Sequence, residues 1–410
     1  MRKLPAGWEL AALSDLVPRE KPIVYGIVQA GPEFPGGIPY IKSSNVGAKI
    51  DPASLSRTSP AIAHKYRRSV VRPGDIVFSL RGNIGQLSIV PDTLPEANLT
   101  QGTARISTNG RALNAFVAEA LKSPNLQKRI DIVSKGSTFR EISLEELRDL
   151  ELPLPPLPEQ RKIAEILRTW DKVLEKLTAL RAAKARRLEG IAQQLLAPSR
   201  AIGRGVPQSN WTPSSFGEVF EERQDKNAGL STDDVVTVGK YAIRKQSEHF
   251  TRSVASKDLS NYWTISPGDF VYDPMSAYYG AIGRYAGSAD GIVSPAYRVI
   301  KLSPDVDPEF MVALLRTHHV RFLLETRSSQ GNKEGKRRLL QRDEFESIEF
   351  KLPPREAQRE IAAKLAVFRT DLELTEREIE ALTRQKRGLM QKLLTGEWRV
   401  NTTETTEVAQ

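Results

Sequence analysis

The strongest constraint on the fold of this chain is an internal repeat. The sequence LPPLPEQRKIA at residues 154–164 returns 198 residues later as LPPREAQREIA at residues 352–362, and matching leucines and a glycine continue the alignment without a gap. An internal repeat of this kind constrains the architecture more strongly than local secondary-structure propensities do. The 410 residues therefore divide into two similar halves. Each half has roughly 150 globular residues followed by roughly 45 helical residues.

Each repeat copy carries a seam of apolar residues at alternating spacings of four and three. A spacing of this kind, held over about nine turns, keeps one helix face against one partner helix, which predicts a coiled coil. Because two similar halves related by a pseudo-twofold axis place equivalent helices head to tail, we expect the two helices to pair antiparallel. The alternative, an amphipathic helix on each domain core, would show a broader apolar stripe. The predicted seam comprises Ile163, Leu167, Trp170, Leu174, Leu177, Leu188, Ile191, Leu195, Ile361, Leu365, Phe368, Leu372, Ile379, Leu382, Leu389 and Leu393.

Short strands, Gly/Pro turns and short helical patterns alternate outside the repeats. This mixture predicts an α+β (mixed α/β) fold class for the globular parts. Proline near each repeat start and a proline or glycine after each repeat are typical helix boundaries. We expect globular domains at 1–153 and 199–351, long helices at 154–198 and 352–398, and a disordered tail at 399–410.

Composition indicates an anionic partner. Sixty Lys and Arg residues against fifty Asp and Glu give a formal net charge of +10, and the sequence pI is about 9.6, which favours a polyanion such as nucleic acid. The absence of cysteine excludes disulfides and thiolate chemistry. The sequence has no apolar run of about 18 residues and no signal-peptide core at its start, so we expect a cytoplasmic protein.

The sequence lacks convincing catalytic motifs. The run at 331–337 is one residue short of a phosphate-binding loop between its glycines and lacks the Ser or Thr that holds magnesium. Asp273-Pro274-Met275 departs from the acidic-Pro-Pro-aromatic site of amino-methyltransferases, and the four histidines show no metal-ligand spacing. We therefore predict a non-catalytic protein with no metal site.

Lys, Arg, Ser, Asn and Tyr side chains concentrate around glycine turns and strand ends. Such loops can provide phosphate contacts and a few base-edge contacts, although a solvated charged face would look the same in sequence. The predicted DNA-binding residues are Lys42, Ser43, Ser44, Asn45, Arg81, Asn83, Lys135, Ser137, Thr138 and Arg140 in the first half. In the second half they are Lys240, Arg244, Lys245, Tyr278, Tyr279, Lys333, Lys336, Arg337 and Arg338.

The order of these motifs along the whole chain resembles the specificity subunits of Type I restriction-modification systems. The resemblance rests on the Pro-x-Gly-Trp start at 5–8, the runs at 39–45 and 291–297, two Pro-Gly-Asp turns at 73–75 and 267–269, and the proline-rich entry to each long helix. The second entry departs from the family pattern, with Arg-Glu-Ala-Gln at 355–358 for Leu-Pro-Glu-Gln, which makes that helix start less typical.

The resemblance implies two target-recognition domains that each read one half of a split double-stranded DNA sequence. It also implies that the repeated helices hold two methyltransferase subunits, which bind S-adenosylmethionine and methylate adenine. Restriction and translocase subunits would supply ATP- and magnesium-dependent cleavage, and this chain would bind none of these cofactors. Two alternatives stay open: a scaffold with two protein-binding domains on a coiled coil, and a specificity subunit for a fused, Type II-like enzyme.

Overall fold

A computed structural model describes residues 4–134, 140–196, 210–246, 258–330 and 338–402. The chain forms two compact units. Unit 1 comprises Met1–Thr178 and Arg377–Gln410, and unit 2 comprises Ala179–Glu376. Each unit therefore combines one globular segment with part of both long helices.

Unit 1 begins with strand β1 and ends its globular segment with strand β8, just before the first long helix. Its strands are β1 Glu9–Ala12, β2 Ile38–Ile41, β3 Arg57–Thr58, β4 Ile76–Ser79, β5 Leu87–Ile89, β6 Asn98–Leu99, β7 Thr103–Ile106 and β8 Glu151–Leu154. Its shorter helices are α1 Pro60–Lys65, α2 Asn114–Lys122, α3 Pro124–Val133 and α4 Leu144–Arg148, and the long helix α5 spans Leu157–Leu196.

Three small sheets organise unit 1. Strands β5, β4 and β7 form an antiparallel sheet, β3 and β6 flank β2, and β1 pairs antiparallel with β8. The main core lies where α2 buries Phe116, Val117 and Leu121 beside Phe78 of β4. A second cluster, which includes Ile41 and Val77, fills the space under β2 and β4. These cores fix the loops at the ends of β2 and β4.

Unit 2 repeats this plan with a larger antiparallel sheet in the order β10-β17-β14-β15. Its strands are β9 Thr212–Ser215, β10 Phe220–Arg223, β11 Val236–Gly239, β12 Ala242–Lys245, β13 Trp263–Ile265, β14 Phe270–Tyr272, β15 Ile282–Arg284, β16 Gly291–Val293, β17 Arg298–Leu302, β18 Ser329–Gln330, β19 Arg338–Leu339 and β20 Glu349–Leu352. Its helices are α6 Phe216–Val219, α7 Pro308–Leu315, α8 His318–Arg327, α9 Arg342–Glu346 and the long α10 Arg355–Leu394.

Aromatic rings dominate the unit 2 core. Tyr272 and Phe345 stack with ring centroids 4.4 Å apart, and Phe216 packs against Phe345 at 5.0 Å. Burial raises the pKa of the Tyr272 hydroxyl, which therefore stays protonated in the core. Offset and tilted ring pairs add stabilisation beyond the area they bury, so this cluster holds α6 and α9 on the sheet.

The two long helices run antiparallel within each unit. In unit 2, Arg181 contacts Glu376, Lys184 contacts Asp371, and the guanidinium of Arg187 lies 5.1 Å from the ring centre of Phe368, so residue numbers fall on α10 as they rise on α5. In unit 1, Leu393 of α10 shares the core with Ile163 and Leu167 of α5, and Lys386 reaches Asp171 at 2.6 Å.

All of the predicted seam residues are buried or half-buried. Ile163, Leu167, Ile361, Leu365 and Leu393 are buried, and the others are half-buried, whereas intervening positions of α5 and α10 are largely exposed. The polar seam positions are paired across the helices: Lys184 Nζ donates to Asp371 Oδ1 at 2.7 Å and to Thr375 Oγ1 at 2.9 Å. The 4-3 spacing thus marks the face that each helix turns toward the rest of its unit.

The helix boundaries differ slightly from those predicted. The sequence assigned 154–198 and 352–398 to helix, but β8 and β20 extend to Leu154 and Leu352, and the helices span Leu157–Leu196 and Arg355–Leu394. The cause is the Pro-Pro pair, since a residue before proline favours the extended conformation.

The predicted disordered tail at 399–410 starts too early. Arg399 Nε donates to Glu159 Oε2 at 2.9 Å, and Val400 packs against the core of unit 1. Residues 403–410 lie outside the described part of the chain. Within that part, we find no helix with the length and hydropathy needed to cross a bilayer.

Candidate nucleic-acid interface

The predicted residues of unit 1 meet at the ends of β2 and β4. A β-carbon added to Gly102 would lie 3.4 Å from Ser43 Oγ and 4.0 Å from the β-carbon of Arg81, and one added to Gly82 would lie 3.8 Å from Ser43 Oγ. The hydroxyl of Ser43 and the stem of Arg81 therefore share one corner with two glycines. We call Ser43, Arg81, Gly82 and Gly102 the serine–arginine corner.

The turn before this corner is internally ordered. The backbone N–H of Lys42 donates to Asn45 Oδ1 at 3.0 Å, which fixes the 3-10 turn Ser43–Asn45. Lys42 Nζ donates to Ser56 Oγ at 2.8 Å and lies 5.2 Å from the ring centre of Tyr40. Lys42 and Ser44 are exposed and Ser43 and Asn45 are half-buried, so this turn presents a cation and two hydroxyls.

Arg81 is paired, but weakly. Its Nε contacts a carboxylate oxygen of Glu141, and about half of each side chain remains exposed. Arg140 makes a similar exposed pair with Asp131 at 2.8 Å, and Asn83 is exposed on the turn after β4. Exposed ion pairs of this kind contribute about 0–1 kcal/mol, so a phosphate or base edge can replace the carboxylate at little cost.

A basic hollow lies at the other end of β4, and sequence reasoning missed it. The hollow has a volume of about 760 Å³, and acidic Glu20 and Asp75 also line it. In the described part of the chain its five exposed cations form no ion pair. We define the basic hollow by its cations: Arg19, Lys21, Arg67, Arg68, Arg72 and the buried Arg105. The adjacent arginines at 67–68 and the charged run at 19–21 were the available sequence signals.

Arg105 forms the floor of the basic hollow. It is 7% exposed, its Nη1 donates to the carbonyl of Val70 at 2.8 Å, and its Nε has no hydrogen-bond partner in the described part of the chain. Desolvation by burial lowers its pKa, with the nearby carboxylate of Asp75 opposing the shift. A buried guanidinium with an unused donor is costly unless a ligand or water completes its bonding.

The segment from Pro22 to Ile27 connects the basic hollow with the serine–arginine corner. Arg105 Nη2 donates to the carbonyl of Pro22 at 3.4 Å, Tyr25 lies beside Ala104, and Ile27 N donates to the carbonyl of Leu99 at 2.6 Å. Tyr25 is 45% exposed. The corner and the hollow lie beyond opposite ends of β4, whose four residues span about 10 Å at a rise of about 3.3 Å per residue.

In unit 2 the structure brings the two predicted tyrosines together with Arg338. The guanidinium of Arg338 lies 5.3 Å from the ring centre of Tyr278, and the rings of Tyr278 and Tyr279 meet edge to face at 5.4 Å. Tyr279 is 43% exposed. Aromatic rings beside arginine provide stacking surfaces as well as hydrogen-bond donors.

The turn of the β11–β12 hairpin adjoins this tyrosine pair. The backbone N–H of Tyr241 donates to the carbonyl of Gly280 at 2.7 Å, and a β-carbon on Gly280 would come within 2.6 Å of the Tyr241 ring. The exposed Lys240 is the residue before Tyr241. Arg244 and Lys245 lie on β12, opposite Thr237 and Val236, and Lys245 pairs with Asp234 at 2.5 Å.

Six predicted DNA-binding residues lie outside the described part of the chain. They are Lys135, Ser137, Thr138, Lys333, Lys336 and Arg337. Within the described ranges, we find no group of three or more His, Asp or Glu side chains that is placed to hold a metal ion.

One buried glutamine links each long helix to its globular segment. Sequence reasoning missed the role of both glutamines. Gln160 Oε1 accepts from Leu113 N at 2.8 Å, and its Nε2 donates to the carbonyls of Arg111 and Pro155. Gln358 repeats this in unit 2, with Asp307 N and the carbonyl of Pro353 as partners. Glutamine occurs at the same position of both repeat copies, and this was the sequence signal for their shared role.

Comparisons with known proteins agree with this architecture. Residues 5–184 match the family model described as the Type I restriction modification DNA specificity domain. The Type I restriction enzyme EcoBI specificity subunit of Escherichia coli is 30% identical over 162 residues, which cover 39% of this chain and 34% of that subunit. The chain therefore aligns with about a third of the length of that relative.

Two further matches extend over nearly the whole chain. The putative type I restriction enzyme MjaX specificity subunit of Methanocaldococcus jannaschii is 22% identical over 426 residues, which cover 98% of this chain and 96% of that subunit. The crystal structure of a Type-I restriction-modification system S subunit from M. genitalium gives a TM-score of 0.56 at 16% identity over 96% of this chain and 97% of that one. The predicted mixed fold with long helices is confirmed. The predicted resemblance to Type I restriction-modification specificity subunits is confirmed by the family model over residues 5–184 and by both relatives.

Proposed function

We propose that this chain is the non-catalytic, DNA-reading subunit of a Type I restriction-modification complex. Each unit reads one half of a split double-stranded target. The paired long helices hold two methyltransferase subunits, and restriction and translocase subunits join that assembly. S-adenosylmethionine, ATP and magnesium are bound by those partners and not by this chain.

The observation that carries this proposal is the pair of polar sites that unit 1 places at the two ends of β4. The basic hollow offers five exposed cations over a buried arginine, and the segment from Pro22 to Ile27 leads from it to the serine–arginine corner. Phosphate contacts supply most of the salt-dependent affinity of DNA-binding proteins, while a few side chains reach base edges. The basic hollow is suited to contacts with the DNA backbone, and the serine–arginine corner is suited to contacts with base edges.

Unit 2 supports the same function with different chemistry. Tyr278 and Tyr279 follow β14 beside Arg338, whereas Arg81 and Asn83 follow the equivalent strand β4 of unit 1. A shared frame with different exposed side chains is what two readers of different half-sites require, because base-edge recognition depends on the donors and acceptors presented.

The buried glutamines support the docking role of the helices. Gln160 and Gln358 each bond the start of a long helix to the first turn of the globular helix beside it. A helix fixed to its domain in this way transmits the position of a bound partner to the DNA-reading surface. A flexible linker at the same place would not transmit that position.

The test measures duplex binding by the full chain co-purified with its methyltransferase subunits, across a range of salt concentrations. We expect log affinity to fall linearly with log salt. The double variant Arg67→Ala, Arg68→Ala should bind all sequences less tightly and reduce the slope by about 1.8, since each lost phosphate contact removes about 0.9.

The matched control is the double variant Arg111→Ala, Arg129→Ala. Both arginines are exposed residues of unit 1 that pair with Glu9 and Glu151, away from the basic hollow. This variant should keep the slope of the wild type. Duplex affinity that does not change with salt would instead favour the scaffold alternative and refute the proposal.

A further inference from the structure

A small cavity in unit 2 is lined by arginines from three different elements. It has a volume of about 180 Å³ and lies between β15, α7 and α10. Arg284 comes from β15, Arg316 follows α7, and Arg369 comes from the long helix α10. Tyr241 and Glu309 complete the polar lining. None of these residues belongs to the predicted DNA-binding set.

The cavity carries excess positive charge. Glu309 is the acidic residue of its lining, and it pairs with Arg284 at 2.9 Å and with Arg369 at 3.1 Å. Arg316 Nη2 donates to the carbonyl of Tyr241 at 3.1 Å, and its guanidinium lies 6.0 Å from that ring centre. The lining therefore holds three guanidinium groups and one carboxylate, and Glu373 and Glu189 act on Arg316 and Tyr241 from outside the lining.

Three buried donors at this cavity lack a partner. The hydroxyl of Tyr241, Nε of Arg284 and Nε of Arg369 are buried and make no hydrogen bond with the described residues. Burial raises the pKa of Tyr241, so its hydroxyl is a proton donor at neutral pH. Desolvation lowers the pKa of Arg316, and the like charge of Arg369 lowers it further, although Arg316 as a residue remains exposed at the mouth.

Unpaired buried donors are rare in folded proteins, and several around one cationic cavity indicate a missing acceptor. The volume of 180 Å³ equals about six waters at roughly 30 Å³ each, so a tetrahedral oxyanion fits with solvent to spare. An anion suits this lining, because its cations outnumber its single carboxylate. Arginine forks match phosphate geometry particularly well.

One lining residue of the cavity, Tyr241, has a strained backbone. Tyr241 has φ of +53°, a left-handed conformation that is unfavourable for a bulky residue, and its ring is held against Gly280. Strain of this kind persists where the surrounding structure fixes it, and it concentrates at ligand sites. The strained turn therefore fixes the position of Tyr241, which lines the cavity.

We propose that this cavity binds a phosphate group through Tyr241, Arg284, Arg316 and Arg369. The phosphate is either free in solution or part of the DNA backbone. Because Arg369 belongs to α10 while Arg284 and Tyr241 belong to the globular segment, a bound phosphate ties the long helix to the sheet of unit 2.

Calorimetric titration of the full chain with inorganic phosphate, at constant ionic strength set by chloride, tests this. The wild type should bind one phosphate. Tyr241→Phe, which removes only the hydroxyl, should weaken binding at least fivefold, and Arg316→Gln at least tenfold. The control Arg168→Gln changes an exposed arginine of α5 in unit 1 and should bind like the wild type. Circular dichroism checks that each variant is folded.

A competition experiment with duplex DNA distinguishes the two sources of phosphate. Competition between phosphate and duplex in the wild type, which in Tyr241→Phe needs at least fivefold more phosphate, assigns the cavity to the DNA backbone. Phosphate binding without competition assigns it to free phosphate, and either result supports the site. No phosphate binding by the wild type, or equal affinity in Tyr241→Phe and Arg316→Gln, means that the cavity holds only water and overturns the proposal. Neither failure would bear on duplex recognition elsewhere in the chain.

Discussion

Replacing Gln160 by alanine should weaken the attachment of the first long helix to unit 1. Gln160 is fully buried, and its amide accepts one hydrogen bond, from Leu113 N, and donates two, to the carbonyls of Arg111 and Pro155. Alanine removes all three bonds and leaves one N–H and two carbonyls without their partner. It also leaves a small void beside the Pro-Pro turn.

The cost follows from these contacts. A buried polar group left unpaired costs about 1–3 kcal/mol, but the partners here are only partly buried, so water can replace some of the lost bonds. We therefore expect Gln160→Ala to lower the free energy of unfolding of unit 1 by about 3 kcal/mol. Because the effect is local, the stability of unit 2 should not change.

Hydrogen exchange followed by mass spectrometry resolves the two units. Peptides from β1 and α2 should exchange faster in Gln160→Ala, and peptides from β9 and α7 should exchange as in the wild type. The control Gln193→Ala makes the same change at an exposed position of α5 and should have no effect. A loss below about 0.5 kcal/mol, indistinguishable from the control, would refute the structural role of the buried glutamine.

Three further predictions concern single side chains. Lys386→Ala should lower the free energy of unfolding by about 2 kcal/mol in urea titration, because it leaves the buried carboxylate of Glu119 with one fewer cation. Ala357→Gln should raise it by about 1 kcal/mol, because the buried indole N–H of Trp211 has no acceptor among the described residues. In unit 1 the indole of Trp8 donates to Glu159, the residue that aligns with Ala357 in the repeat. Arg81→Ala should lower duplex affinity by about 1–3 kcal/mol with relaxed specificity if the side chain reads a guanine, or weaken all sequences alike with a shallower salt slope if it holds a phosphate. Equilibrium binding to matched and scrambled duplexes distinguishes these results. If neither the affinity nor the salt slope changes, Arg81 is not part of the interface.

The long helices were predictable because their signal is local and periodic. The 4-3 spacing places the buried face of α5 and α10 correctly, and the duplication identifies the two copies. The helix starts were misplaced by three residues because the extended preference before proline extends β8 and β20 up to the Pro-Pro pair.

The basic hollow and the phosphate cavity could not be predicted, because they depend on contacts between distant residues. Arg105 has the sequence context of an ordinary strand residue, and its role as a floor follows only from contact with Pro22, 83 positions away. Tyr241 has no motif of its own, and the sequence predicted only its neighbour Lys240, as a DNA-binding residue. Residue spacing predicts which residues share a face of one element, but not which elements meet.

The central claim is that each unit reads one half of a split DNA target. Long-read sequencing of adenine methylation in the host genome, with wild-type chain and with the Arg81→Ala variant, tests it most directly. The account predicts a motif of two specified halves separated by unspecified bases, and a change confined to one half in the variant. A single continuous motif, or a variant that alters both halves equally, would contradict it.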